Sequence, residues 1–425
     1  MKTKLTSIFA LAIMMVSCSN REIIDSDFQQ PAPKQTNSIR SYEEALQIAQ
    51  ASIQMVDGQA QTRAASPRKI SLNDSKVCLT DSKTRSENGN DTLMYVFNFE
   101  DQMGFSVVSA NRKTEPLIAV TESGYYDPKQ ETDIEGFDYF MEMAKEYVIR
   151  SFGDPDIRYY CYDVYVYDQP TYTVGPYVNV MWGQRYPEGE HCPNGISGCS
   201  ITAMAQIMSY FEFPTSINLT YMGTDSLQNL NWTSMKAHST GHTNANCTWS
   251  NLDAHNSIGR LCRQLGKLAN SRYKESSTST RTDSTRYALI SLGFHPNEFS
   301  NYSGTYIKSE LNNNHPLLIR GTHIHETNTA GHMWVLDGYN DISYTIYTYK
   351  VPEGFIGQGE LEDISGPFTT NLYHFNWGWY GKNNGYFASA VLSPLDVILP
   401  DTNTSITADY NFQYNVLLLS VYPDN

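Results

Sequence analysis

The spacing of hydrophobic positions predicts a small mixed domain after a polar tract at residues 19–40. In SYEEALQIAQASIQM the apolar residues recur at helical spacing, and Ser41 with Glu44 has the pattern of a capping box. The β-rich runs MYVFNFE and GFSVVSAN predict a hairpin, and LIAVTES predicts a third strand. A second amphipathic helix is predicted over 136–152. Together these elements predict an α+β domain at 41–152.

The rest of the chain, residues 153–425, predicts a second and larger α+β domain. It begins with the strand-like run YYCYDVYVYD. Two helical stretches follow, SIGRLCRQLGKLA and DSTRYALISLG, and a polar loop at 275–281 joins them. The last third predicts separate strands in an antiparallel sheet, at HPLLIRGT, HMWVLDGY, YTIYTYK, LYHFNWGW, GYFASAV and YNVLLLSVY.

The first residues, MKTKLTSIFALAIMMVSCSN, are typical of a signal peptide, which we place at 1–17. The apolar stretch is too short for a membrane-spanning helix. Ser17 directly before Cys18 resembles a bacterial lipoprotein signal, which would make Cys18 the lipidated N-terminus of a tether at 18–40. The alternative is ordinary cleavage near Ser17, which gives a freely secreted protein. Either route predicts an extracytoplasmic protein in the bacterial cell envelope or secreted, with a lipid anchor at Cys18 as its only link to a membrane.

Composition narrows the possible partners of this 425-residue chain. Its net charge of -15 opposes binding to nucleic acid or to an anionic membrane surface. The seven cysteines are sparse and lack a Cys-x-x-Cys pair, so we expect no structural zinc. Disulfide pairing stays open, because connectivity cannot be deduced from sequence.

The densest chemical signal surrounds Cys199. Small residues precede it, and from Ser200 onward the apolar residues have the spacing of a buried helix face. Cys199 is therefore predicted at a helix N-terminus, where unpaired backbone N–H groups favour thiolate over thiol. The alternative is a small buried hydrophobic residue at a glycine-rich turn.

A thiolate nucleophile needs an imidazole to protonate the leaving group, and His332 in GHMWVLDGY is the candidate. It is predicted at the end of an apolar strand, outside the core. Asn376 could accept a hydrogen bond from the imidazole, and Trp377 could shield that bond from water. Gln184 could donate its side-chain amide to an oxyanion, beside the Cys199 backbone N–H.

These segments, in the order WGQ, CP, GC with TAMAQIMSYFEFP, GHMWVLDGY and NWGWYGKNNGYF, resemble the streptopain family of papain-like cysteine peptidases. The resemblance implies a papain-like α+β domain and a secreted endopeptidase made as a zymogen. It implies that Cys199 is the nucleophile, His332 the general acid and base, and Gln184 an oxyanion donor. Trp377 and Trp379 match the tryptophans beside the family's catalytic histidine.

The region YVFNFE to ESGYYD also resembles the family's prodomain, which blocks the active site until it is removed. The expected partners are protein or peptide substrates and the chain's own prodomain, with no metal or organic cofactor. The match of Asn376 is less secure, since backbone or indole groups can orient the histidine instead. Ser200 and Met333 depart from the small residues that usually follow the family's cysteine and histidine.

Two other functions remain as alternatives. One is a non-catalytic surface lipoprotein that keeps the fold for binding, and the other is a transglutaminase-like enzyme that transfers the acyl group to an amine. Transfer of an added amine to a glutamine substrate would distinguish the last. A released segment 40–150 is also a candidate inhibitor of the mature enzyme.

Overall fold

The computed structural model describes residues 39–57, 68–79, 92–150, 161–167, 172–221, 224–237, 252–325, 328–350, 360–392 and 416–423. The predicted signal peptide, Cys18 and most of the predicted tether lie outside these ranges. Among the described residues, no helix combines the length and hydrophobicity needed to cross a membrane.

The described part of the chain contains both helices and strands. The helices are α1 (Tyr42–Asp57), α2 (Glu135–Arg150), α3 (Cys199–Phe211), α4 (Trp232–Ala237), α5 (Leu252–Leu268), α6 (Thr282–Ser291) and α7 (Gly304–Asn312). The strands are β1 (Lys76–Leu79), β2 (Thr92–Asn98), β3 (Phe105–Ser109), β4 (Leu117–Thr121), β5 (Cys161–Tyr167), β6 (Tyr172–Val174), β7 (Ser216–Tyr221), β8 (Thr224–Asn229), β9 (Arg272–Tyr273), β10 (Thr278–Ser279), β11 (Ser300–Asn301), β12 (Leu317–His325), β13 (Asn328–Lys350), β14 (Glu360–Asn376), β15 (Gly385–Ala388) and β16 (Leu417–Ser420).

The N-terminal region has the predicted elements. At the start of α1 the Ser41 backbone N–H donates to Glu44 Oε2 at 2.7 Å, and the Glu44 N–H donates to Ser41 Oγ at 3.2 Å. This reciprocal pair is the predicted capping box. Strands β2 and β3 form the predicted antiparallel hairpin, and β4 continues the sheet. Buried faces of α1 and α2 pack against these strands.

The folded region begins earlier than the predicted tether boundary. Arg40, the last residue assigned to the tether, is fully buried and donates to the carbonyl oxygens of Ser109 at 2.6 Å and Asn111 at 2.9 Å. Ile39 forms a bridge with Asn111. A buried guanidinium needs such acceptors, so this arginine belongs to the N-terminal fold.

The C-terminal region contributes a second core, in which α3 is the central helix. Ile201, Met204 and Met208 of α3 are fully buried, as the apolar spacing predicts. Helices α5 and α6, also at predicted positions, pack beside α3. Most strand residues of this core come from the α3-facing side of β12, β13 and β16, and Ile217 of β7 adds another.

One sheet joins the two regions that the sequence predicts as separate domains. In the described residues its strand order is β1-β2-β3-β4-β15-β14-β13-β12-β16-β11, and both β5 and β6 pair with β13. The junction is the antiparallel pair β4 and β15, where Val120 lies opposite Tyr386. A single hydrophobic core spans this junction. The N-terminal region is therefore built onto the edge of the larger one.

The strand predictions need two corrections. One strand, β13, contains both HMWVLDGY and YTIYTYK. Its pairing with β14 is irregular between Leu336 and Gly338, and this irregularity accommodates the change in the apolar pattern without ending the strand. The predicted loop at 275–281 contains β10, which pairs with β9 in a small hairpin. Short polar strands of this kind lack the alternation on which the prediction relied.

Candidate active site

Cys199 is the first residue of α3, as predicted. The preceding Gly198 has a φ of 93°, and a Cβ atom there would lie 3.0 Å from the carbonyl oxygen of Thr278. Glycine is required because the turn needs a left-handed backbone close to the β9–β10 hairpin. The glycine therefore sets the entry into α3 and aims Cys199 at the sheet.

The electrostatics around Cys199 favour a thiolate. Burial by itself raises the pKa of the Cys199 thiol, but the charge of the His332 imidazolium and its hydrogen bond to the sulfur act together to lower it. A hydrogen bond from the backbone of Met333 acts in the same direction. Burial conversely lowers the pKa of His332, while the charges of Cys199 and Glu135 raise it above its usual range. Each partner thus stabilises the charged form of the other.

His332 lies inside β13 and is only 3% exposed, so its predicted position at a strand end outside the core was wrong. Its ring stacks on Trp334 at 6.0 Å between centroids, with 21° between the planes. The Nε2 atom lies 3.5 Å from the carbonyl oxygen of Trp377. A backbone carbonyl, rather than a side-chain amide, is therefore the group beside this ring nitrogen.

Hydrogen bonds fix the backbone of Gln184, whereas its side-chain amide makes none among the described residues. Its carbonyl oxygen accepts from the Ser197 N–H at 2.8 Å and from Ser197 Oγ at 3.1 Å. The preceding carbonyl, of Gly183, accepts from Thr202 Oγ1 at 2.8 Å. Within the described part of the chain the Gln184 amide makes no hydrogen bond, so its NH2 group is available to a ligand.

Asn376 makes no hydrogen bond to His332. Its Nδ2 donates to the carbonyl oxygen of Val180 at 2.9 Å, and its Oδ1 accepts from Gln206 Nε2 at 3.0 Å and the Gly378 N–H at 3.2 Å. The amide is therefore fully used in fixing the chain. The sequence order suggested an orienting role, but a position after a strand says nothing about which way a side chain turns.

Trp377 is fully buried at the end of β14. Its indole Nε1 donates to the carbonyl oxygen of Asn383 at 3.0 Å, and its backbone N–H donates to Asn384 Oδ1 at 3.0 Å. Its ring packs against Trp334 with 5.0 Å between centroids. The ring that stacks on the imidazole is thus that of Trp334, while Trp377 supports Trp334 and presents its carbonyl.

The sequence did not indicate Glu188, a buried carboxyl in the loop that carries Gln184. Its Oε1 accepts from the Gly183 N–H at 3.1 Å, and among described residues its Oε2 has no hydrogen-bond partner. Burial raises the pKa of Glu188 to about 8. Nothing in the local pattern PEGEH distinguishes it from an exposed loop glutamate.

The N-terminus of α2 lies directly on the candidate site. Glu135 Oε2 is 3.5 Å from His332 Nδ1, and a Cβ atom added at Gly136 would lie 2.3 Å from His332 Cδ2. Farther along α2, the ring of Tyr139 covers Gly321, where a Cβ atom would lie 2.1 Å from Tyr139 Cε1. The two glycines allow the helix to approach this closely. The N-terminal region thus covers the Cys199 and His332 pair.

Comparison with known families gives this arrangement a context. The profile of the Peptidase C10 family matches residues 176–387, which include Cys199, His332 and Gln184. The chain belongs to the Peptidase C10 family. The profile described as Spi protease inhibitor matches residues 36–148. This C10 member is a cysteine-type peptidase with an inhibitor-like prodomain, which is the organisation of a zymogen.

Individual relatives agree with the family assignment. The chain is 23% identical to streptopain of Streptococcus pyogenes over 338 residues, covering 71% of this chain and 75% of streptopain. It is 22% identical over 337 residues to the thiol protease/hemagglutinin PrtT of Porphyromonas gingivalis. That match covers 72% of this chain, which spans only 34% of the length of PrtT.

A solved structure has a similar fold. The structure of prointerpain A from Prevotella intermedia matches with a TM-score of 0.51 and 19% identity, covering 83% of this chain and 98% of that chain. The expected α+β papain-like fold with an N-terminal prodomain is thereby confirmed.

Proposed function

We propose that this C10 peptidase is the zymogen of an endopeptidase that cleaves protein substrates through Cys199 and His332. The observation that carries the proposal is the charged pair of Cys199 and His332 at the N-terminus of α3, lying beneath α2 of the prodomain. Thiolate at a helix N-terminus next to an imidazolium is the arrangement that activates a cysteine nucleophile.

The geometry supports acyl transfer in two stages. The Cys199 thiolate attacks the peptide carbonyl carbon, and the oxyanion is stabilised by the Gln184 amide and the Cys199 backbone N–H. As the C–N bond breaks, the His332 imidazolium gives its proton to the leaving amine and a thioester remains. Neutral His332 then takes a proton from water, whose oxygen attacks the thioester and restores the thiolate and imidazolium. No cofactor enters this scheme.

The remaining site residues receive supporting roles in the proposal. The Trp377 carbonyl and the Trp334 ring hold the imidazole of His332 in place. Asn376 keeps its place among the site residues as a positioning residue that ties β14 to the segment bearing Gln184. This replaces the imidazole-orienting role that the sequence order suggested for it.

The prodomain is proposed to inhibit by occupying the cleft. Gly136 and Tyr139 of α2 fill the space above His332 and Gly321, and a peptide substrate cannot enter while they are there. We keep the boundary between prodomain at 41–152 and catalytic domain at 153–425 as part of this proposal. It is supported by the Spi profile, which ends at residue 148.

We further propose that the chain acts outside the cytoplasm. The signal-peptide pattern at 1–17 supports export, and Ser17 before Cys18 supports a lipid anchor on the bacterial cell envelope. Intact mass of the protein from the membrane fraction tests this, because diacylglyceryl modification of Cys18 adds a mass that a Cys18→Ala variant lacks. Recovery of unmodified protein in the medium contradicts the anchor.

The first test is intact-mass analysis of residues 19–425, wild type beside Cys199→Ala, under reducing conditions with and without an epoxide thiol inhibitor. We expect wild type to be cleaved near Phe152, to lose the prodomain by further proteolysis and then to take up one inhibitor molecule, while Cys199→Ala does none of these. If wild type stays intact, an external protease is used to remove the prodomain before labelling. Absence of labelling even then contradicts the peptidase and favours a binding protein.

A second test addresses the oxyanion donor and the acceptor of the acyl group. Gln184→Ala is expected to lower kcat by about 100-fold with a small change in KM, because the amide acts mainly on the oxyanion. Gln184→Glu, which keeps the size but lacks the donor, should be equally slow. Covalent appearance of an added amine on a glutamine substrate would instead indicate a transglutaminase-like reaction.

A further inference from the structure

Arg320 lies one residue from the strand position opposite His332. In the pairing of β12 with β13, Gly321 lies opposite His332 and Arg320 lies opposite Met333. Successive strand residues point to opposite faces, so Arg320 shares a face with Leu318 and Met333. Leu318 and Met333 belong to the core around α3, against which Cys199 also packs. Arg320 therefore projects from the face of the sheet that meets the nucleophile.

The guanidinium extends across the strand toward the residue before His332. A Cβ atom added at Gly331 would lie 3.0 Å from Arg320 Nη2, so the absence of a side chain at 331 makes room for the arginine. Burial lowers the pKa of Arg320, and the charge of the Cys199 thiolate acts in the opposite direction. Arg320 is thus paired across the sheet with Met333, whose backbone forms a hydrogen bond with the reacting sulfur.

Among the described residues, the guanidinium of Arg320 has no carboxylate partner. The residue is half-buried, yet in this part of the chain its side chain makes no ion pair and no hydrogen bond. A half-buried guanidinium gains much from a carboxylate, because Arg presents a planar fork of donors that matches carboxylate geometry. The chain has a net charge of -15, so carboxylates are plentiful, yet none among the described residues pairs with Arg320.

The prodomain reaches the neighbouring strand position in the zymogen. Tyr139 of α2 packs on Gly321, which follows Arg320 and lies on the opposite face of β12. Removal of the prodomain takes Tyr139 away from the part of the β12–β13 pair that carries Arg320 and His332.

We propose that Arg320 forms a substrate subsite that binds the carboxylate of an aspartate or glutamate near the scissile bond. The inference rests on the proposed function and deepens it by naming a substrate class. The overall negative charge of the chain does not oppose this preference at close range, because salt screens exposed charges beyond about 8 Å. The local cation decides which side chain binds beside Cys199.

The test uses mature enzyme and internally quenched peptides that differ only by Glu or Gln at one position, from three residues before the scissile bond to two after it. At one position we expect kcat/KM to be about tenfold higher for Glu than for Gln. Arg320→Gln should make the two peptides equal, Arg320→Lys should keep part of the preference, and Arg320→Glu should favour Lys over Glu at that position. Arg286→Gln, which alters an arginine paired with Glu298, is the matched control and should retain the preference.

Epoxide labelling of Cys199 shows that each variant is folded. Wild type that cleaves the Gln peptides without favouring Glu at any position overturns the subsite while the proposed function stands. An Arg320→Gln variant that slows Glu and Gln peptides equally also overturns it, because the arginine then acts on the thiolate or oxyanion. Failure of wild type to label and to cleave any peptide removes the proposed function and this inference with it.

Discussion

Asn376 joins two chain segments through both ends of its amide. It receives a hydrogen bond from Gln206, which also donates to the carbonyl oxygen of Trp182 at 3.0 Å. Both side chains are buried. Together they fix the segment that leads into Gln184 against the end of β14, so we expect their effect on catalysis to be indirect.

We therefore expect Asn376→Ala and Gln206→Ala to behave alike. Each should lower the free energy of unfolding by about 1–3 kcal/mol, because a buried amide partner is left unpaired. The double variant should lose less than the two losses added together, since the residues share one hydrogen bond. Denaturant unfolding measures this.

The pH profile of kcat/KM separates the two possible roles of Asn376. If it is a positioning residue, neither substitution moves the pH limbs of the profile. A shift of a limb in Asn376→Ala but not in Gln206→Ala would show that Asn376 orients the imidazole after all.

The buried carboxyl of Glu188 makes the free energy of unfolding depend on pH. Burial raises its pKa to about 8 in the folded chain, from 4.5 for an ordinary glutamate. Between these values the folded state holds a proton that the unfolded state has lost, so this group reduces stability as pH rises from about 4.5 to 8 and has no further effect above. Glu188→Gln is expected to remove that slope.

The measurement is the melting temperature of wild type and Glu188→Gln from pH 4 to pH 9, with Cys199 blocked to prevent cleavage. The difference should be small near pH 4 and should grow toward pH 8 in favour of the glutamine variant. Glu190→Gln, at a neighbouring exposed position, is the control. Equal differences at all pH values would mean that Glu188 is already ionised in the folded chain.

At the scale of elements, helix α2 is the part of the prodomain that occupies the cleft. Its first residue meets His332, and its buried side supplies Phe137 and Phe140, which pack around Trp377. The Glu135 side chain is 76% exposed, so its ion pair with His332 contributes little to the inhibition. Close packing at Gly136 contributes more.

We accordingly predict that Gly136→Ala loosens the prodomain. The added methyl group would meet the imidazole and also Trp377 Cε3 at 2.7 Å, so α2 has to move outward. Such overpacking costs about 1–3 kcal/mol, which corresponds to initial uptake of an epoxide inhibitor by the uncleaved chain that is about 5-fold to 150-fold faster. Glu142→Ala, on the exposed side of α2, should leave the rate unchanged. An unchanged rate in Gly136→Ala would show that α2 is not what limits access.

For the whole molecule, the shared sheet makes the prodomain part of the folded unit. Strand β4 continues the catalytic sheet through β15, and Phe140 packs on Phe387 across the junction at 4.9 Å between centroids. A single cut in the connecting segment leaves all of these contacts in place. Activation then requires the cut prodomain to dissociate or to be degraded.

We expect protein cut once within 151–160 to elute from gel filtration as one species of uncut size and to melt in one transition. The contacts across β4 and β15 and the common core hold the pieces together. Epoxide uptake should stay slow until denaturant or further proteolysis removes the prodomain. Separate elution of the two pieces directly after the cut would contradict this.

The sequence by itself indicated the family, several of the elements and the candidates for the reacting residues. Apolar spacing placed α1, α2, α3 and the β2–β3 hairpin, because these patterns are local. Small residues before Cys199 indicated a helix N-terminus, since a turn into a helix depends on neighbours in the chain.

Only the tertiary structure decided what depends on contacts between distant segments. The burial of His332, the use of the Asn376 amide, the raised pKa of Glu188 and the position of Arg320 opposite Met333 all follow from how strands and helices meet. The joining of prodomain and catalytic domain in one sheet was also decided only by the tertiary structure, because nothing in the local sequence of β4 indicates that it pairs with β15. Local patterns show which face of an element is apolar, whereas the tertiary fold determines which other element packs against that face.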